Sequence, residues 1–169
     1  MRVRTTSSSS IWLQAMMDFQ RDLPLALRAA YLAMHRATDA CFAPYGVTAD
    51  QFVLLLNLVA HGEALTQREL ANRMGSDPST VRAMLVLLER GGLIERDSHP
   101  SDGRAKTVAL SDEGRVMVER LWSASQSIRD QMQQVVGPSR SSTLIHSLNQ
   151  LAIELDPHFQ GSSHSSPIA

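Results

Sequence analysis

The stretch LTQRELANRMGSDPSTVRAMLVLLERGGLIERDSHPSDGRAKTVAL, residues 65–110, decides the fold. It opens with Thr66-Gln67-Arg68-Glu69, a capping box. In that pattern a hydroxyl at the cap and a carboxylate three residues on satisfy each other's backbone amides. The helix it starts is short and ends near Met74-Gly75. Asp77 then supplies a second N-cap, and Pro78 takes the first helical position, where a missing N–H loses no bond. This second helix carries Val81, Met84, Leu85 and Leu88 on one side and reaches Arg90, where Gly91-Gly92 provides a left-handed stop. Leu93-Ile94-Glu95-Arg96 and Lys106-Thr107-Val108-Ala109-Leu110 read as strands, and Asp102-Gly103 between them is a hairpin signal. Short helix, tight turn, longer helix, strand, hairpin, strand is the order of a winged helix-turn-helix, in which the first helix braces the second against a DNA major groove. The expected fold class is mainly α with a small β-hairpin wing.

Working outward, Thr48-Ala49-Asp50-Gln51 is another capping box, opening a helix through Leu54, Leu55, Leu58 and Val59 that His61-Gly62 closes. Before it, a long helix from about Pro24 to Phe42 carries Leu27, Tyr31, Met34, Thr38 and Cys41 on one stripe. A short helix capped by Ser10 is expected from Ile11 to Gln20. After Ser111 the spacing of Val118, Leu121, Trp122, Ser125, Ile128, Met132 and Val135 predicts one long helix, ended by Gly137-Pro138. A last helix carries Leu144, Ile145, Leu148, Leu151 and Leu155. Residues 1–10 form a polar lead and 161–169 a Ser-, Gly- and Pro-rich tail, both too poor in apolar side chains to pack. The body, 11–160, reads as one domain, with the winged part at about 48–110.

Bulk composition does not advertise a nucleic-acid partner. The 169 residues carry 16 Lys and Arg against 17 Asp and Glu, a net charge of −1. Phosphate contacts need cations, so positive charge has to be placed locally, with Arg82 at a helix start and Arg104 and Lys106 at the hairpin. The lone cysteine, Cys41, forms no internal disulfide and fits the reducing cytoplasm. Its place beside Phe42 on the apolar stripe suits a structural role better than that of a reactive thiol. No apolar run reaches the roughly 18–20 residues of a membrane span. The histidines show no metal-ligand spacing, and no cofactor motif is present. No Ser/His/Asp or Cys/His arrangement, phosphate-cradling glycine loop or paired carboxylate site suggests an enzyme.

The residues with a readable role cluster in the winged part. Ser79, Thr80 and Arg82 lie at the exposed start of the second helix. There short hydroxyls can hold phosphates, and a guanidinium fork can read guanine. Arg68 and Arg73 on the bracing helix are further phosphate-contact candidates. Arg104 at the hairpin tip is suited to the narrow, negative minor groove.

The stretches Leu65–Ala71, Asp77–Val81, Leu88–Arg96, Asp102-Gly103-Arg104-Ala105-Lys106 and Leu110–Arg115, in that order and spacing, resemble the MarR family of bacterial winged-helix regulators. The resemblance covers roughly residues 25–155 and is most specific over 65–115. It implies a homodimer formed by terminal helices, here about 11–43 and 112–156, on a pseudo-palindromic double-stranded operator. It also implies that Arg104 enters the minor groove with Asp102 orienting it. Such regulators are commonly repressors released by a small phenolic or aromatic molecule. Arg28, Tyr31, His35 and Arg36 on the first long helix are the candidate effector contacts. Two departures stand out. Many members carry an Arg where this chain has Ala83, with its Arg one place earlier at Arg82, and Gly103 separates the wing's Asp and Arg. The alternatives are a winged-helix protein-interaction module that does not bind DNA, or a regulator answering to oxidants or zinc.

Overall fold

The computed structural model describes residues 22–98 and 106–156. The expected helix over 11–20, the wing tip with Asp102 and Arg104, and both polar ends lie outside the described residues. The elements, in chain order, are α1 (Leu23–Phe42), a 3-10 turn (Ala43–Tyr45), α2 (Ala49–His61), β1 (Leu65–Thr66), α3 (Gln67–Met74), α4 (Pro78–Arg90), β2 (Ile94–Ser98), β3 (Lys106–Leu110), α5 (Asp112–Ala124), α6 (Gln126–Val136) and α7 (Pro138–Leu155). The chain divides into two compact units, the first ending at Ala37 and the second beginning at Thr38.

In the first unit, Leu23, Leu27, Tyr31 and Met34 of α1 are exposed. The Tyr31 and His35 rings sit 5.5 Å apart and tilted by 50°, and Arg36 Nε donates to Leu32 O one turn back at 3.1 Å.

The second unit holds the winged part. Thr48 caps α2 reciprocally with Gln51, and the Ala49 amide donates to Asp39 Oδ1 at 2.7 Å, tying the start of α2 to the end of α1. Leu54, Leu55, Leu70, Val81, Leu85, Leu88, Val108 and Leu121 form one buried cluster, to which Phe42 and Phe52 add an edge-to-face pair at 5.0 Å. The apolar side predicted for α4, Val81, Met84, Leu85 and Leu88, is its buried side.

The sheet is larger than the predicted hairpin. Three antiparallel strands lie in the order β1-β3-β2, with Leu65 opposite Val108 and Arg96 opposite Val108 from the other side. Residues 65–66 were expected only to lead into a helix. A two-residue strand has no alternation to read, and it exists because β3 offers it a free edge.

The glycine stop after α4 divides its labour. Gly91 stays right-handed, and Gly92 takes φ +69°, placing the Leu93 amide 2.9 Å from Leu88 O. The start of α5 then closes on this turn. Ser111 Oγ donates to Gly92 O at 2.6 Å and accepts from the Gly114 amide at 2.9 Å. A Cβ at Gly114 would lie 2.0 Å from the Leu93 carbonyl oxygen, so only glycine permits this approach. The single long helix expected from Asp112 to Val135 is instead broken at Ser125 into α5 and α6.

Candidate nucleic-acid interface

Two helices and the base of the wing meet at one surface. Thr66 caps α3 through its hydroxyl, which accepts from the Glu69 amide, while Glu69 accepts from the Thr66 amide at 2.7 Å and the Thr66 hydroxyl at 2.8 Å. These bonds, the backbone one foremost, hold the Glu69 carboxyl below its ordinary pKa, and His61 and Arg73 add to the effect. Asp77 caps α4 by accepting from the Ser79 amide at 2.7 Å and from the Ser79 hydroxyl. The hydroxyl bond first, then the amide, keeps Asp77 below the usual carboxylate range. Gln67 Nε2 donates to Pro78 O at 3.1 Å, a direct tie between the two helices of the motif.

A concavity of about 480 Å³ lies beside this tie, lined by Thr66, Gln67, Arg68, Asn72, Pro78 and Lys106. The fold therefore brings Arg68 of α3 and Lys106 of β3 to the rim of one hollow. Neither forms an ion pair among the described residues, and both are exposed. Thr80 and Arg82 are exposed on α4. Ser79 is exposed too, but its proton is given to Asp77. Arg73 stands apart, donating through Nη2 to His61 Nδ1 at 3.2 Å at the end of α2. Gln67 and Asn72 were not singled out in the sequence. Their helix's exposed face was legible, but the approach of Pro78 and Lys106 to it was not.

Behind the interface, Glu89 of α4 and Arg96 of β2 form an ion pair at 3.2 Å, with the Arg96 side chain 15% exposed. It links α4 to β2. Among the described residues no cluster of His, Cys, Asp and Glu could hold a metal, and no single helix is long and apolar enough to cross a membrane. Arg28, Tyr31, His35 and Arg36 lie along α1 in the first unit, and none of them lines this hollow.

The model of the MarR family matches residues 45–105, a span that holds α2, β1, α3, α4 and β2. The chain is 32% identical over 107 residues to the HTH-type transcriptional repressor MdtR of Bacillus subtilis (strain 168), covering 63% of this chain and 68% of that protein. This chain belongs to the MarR family. Among solved structures, the transcriptional repressor CouR bound to a 23-mer DNA duplex aligns with a TM-score of 0.75 at 30% identity, over 81% of this chain and 96% of CouR. CouR bound to p-coumaroyl-CoA aligns with a TM-score of 0.71 at 28% identity, over 81% of this chain and 96% of that one. MarR-family proteins are DNA-binding transcriptional regulators rather than enzymes. The winged-helix fold of this chain is theirs.

Proposed function

We propose that this MarR-family chain acts as a homodimeric repressor that binds a pseudo-palindromic operator and leaves it when a small organic effector binds. The observation that carries the reading is the exposed start of α4, with Thr80 and Arg82, beside the hollow rimmed by Arg68 and Lys106. Arg82 reads a base edge in the major groove, Arg68 and Lys106 hold phosphates, and Thr80 contributes a hydroxyl to the backbone. Ser79 acts through the cap it forms with Asp77, and Arg73 reaches phosphate only by leaving His61. Arg104, with Asp102 two places before it in the sequence, supplies the minor-groove contact. The repressor role is supported by the names of MdtR and CouR.

The dimer is supported by apolar side chains left in solvent. Leu144, Ile145, Ile153 and Leu155 on α7, and Leu23, Leu27 and Tyr31 on α1, are exposed in the single chain. Exposed apolar surface of this extent marks an interaction face. Release by an aromatic or phenolic molecule is supported by CouR with p-coumaroyl-CoA. Arg28, Tyr31, His35 and Arg36 are its contacts here, pairing cations with a ring. The cytoplasm is the compartment in which these partners meet.

Fluorescence anisotropy with a duplex selected from a random library tests the interface. Arg82→Ala is expected to weaken specific binding by about 1–3 kcal/mol and relax preference at one base pair. Arg68→Ala and Lys106→Ala are expected to weaken all sequences alike and to lower the salt slope by about 1 each. Unchanged affinity in all three at fixed salt overturns the interface.

A further inference from the structure

The break at Ser125 gathers side-chain hydrogen bonds onto its backbone carbonyls. Ser125 has φ −80° and ψ 5°, away from the ψ near −42° of a regular helix. A straight helix would offer Trp122 O to the amide of Gln126 and Ala124 O to that of Ile128. Here Trp122 O accepts from Arg129 Nη2 at 2.7 Å and from Ser125 Oγ at 3.2 Å. Ala124 O accepts from the Cys41 thiol at 3.3 Å, which gives the chain's one cysteine its role. Ser125 Oγ also donates to Leu121 O at 2.9 Å and accepts from Arg129 Nη1 at 2.6 Å. Arg129 further donates to Gln126 Oε1 and lies 4.0 Å from the centroid of the Trp122 ring. One guanidinium thus spans both sides of the joint, with its planar fork satisfied and its face stacked.

The two sides differ in anchorage. α5 sends Gly114, Val118 and Leu121 into the core, whereas α6 has no buried residue. α6 is therefore a lever on a fixed pivot, and Arg129 clasps the pivot. An 11-residue helix is about 16 Å long. A swing of about 10° moves its far end by about 3 Å, close to the rise of one base pair.

We propose that the Arg129 clasp at Ser125 sets the angle at which the C-terminal helices leave the winged domain, and thereby selects the half-site spacing that the dimer accepts. The proposal rests on the dimeric operator-binding reading above. Arg129 acts here as a positioning residue, since a dimer reading two half-sites roughly 34–36 Å apart is sensitive to the angle of its arms.

The test uses the full chain. Wild type first selects its inverted repeat from a random duplex library. That repeat is then offered with its spacing shortened or lengthened by a single base pair, and as an isolated half-site. Wild type is expected to lose about tenfold or more in affinity at the wrong spacings, comparable to a base mismatch. Arg129→Ala is expected to bind all three spacings within about threefold, with wild-type affinity for the isolated half-site. Arg129→Lys, which keeps the cation over Trp122 without the fork, is expected to fall between them and carries the test alone if Arg129→Ala unfolds by circular dichroism. Wild-type discrimination in the variants overturns the clasp while leaving the dimer intact. A wild type that accepts every spacing equally overturns the dimeric operator reading, and the clasp with it.

Discussion

Leu121 of α5 is fully buried, whereas α6 and α7, which follow it in the same chain, bury no residue. The winged part closes on itself. Its helices are capped by Thr48, Thr66, Asp77 and Ser111, and their apolar sides converge on one cluster. The C-terminal helices carry as regular an apolar pattern but leave Val135, Leu144, Ile145 and Leu155 in solvent. A self-sufficient core tolerates loss of a partner, whereas a helix with an unmet apolar face is completed only by another surface.

Three variants probe that contrast, in falling order of expected effect. Gly114→Ala strikes the closed region where α5 meets the Leu93 carbonyl. Backbone cannot yield as a side chain can, so a loss of about 2–3 kcal/mol is expected in urea unfolding. A loss below the ordinary gain of alanine over glycine in a helix would show that this contact is looser than drawn. Leu144→Asp with Ile145→Asp strikes the open region. Sedimentation is expected to show a monomer, and hydrogen exchange to show a winged core as protected as before. Retained dimers would place the partner face elsewhere.

Thr66→Ala removes the α3 cap and is expected to cost about 1 kcal/mol at neutral pH. Part of that cost depends on acid. Glu69, bonded to the Thr66 amide and hydroxyl, has a folded pKa below its ordinary value of 4.5. Its contribution is therefore complete above that value and is lost as pH falls through the folded pKa. Melting wild type and Thr66→Ala side by side should show the gap narrowing below pH 4.5. A gap that holds constant in acid would mean that the hydroxyl cap alone matters.

The helix boundaries of the winged part were legible because each is written in local chemistry. Hydroxyl or carboxylate caps, Pro78 at a first turn and the Gly91-Gly92 stop act within a few residues of themselves. The exposed start of α4 with Arg82 was legible for the same reason. The hollow between Arg68 and Lys106 was not, since the two lie 38 positions apart in the numbering and only sheet pairing brings β3 beside α3. Arg73 looked equivalent to Arg68 on the helix. The difference comes from His61, which another helix carries to it.

By itself, then, the sequence determined the elements from Thr48 to Ser111, their order and the side of each that turns inward, because caps, turns and apolar periodicity are short-range. The tertiary structure alone decided the third strand, the Gly114 contact and the break at Ser125. The pattern across Ser125 is unbroken, with Leu121 and Ile128 a regular two turns apart. At that break Cys41 and Arg129 donate to carbonyls that periodicity treats as already spent.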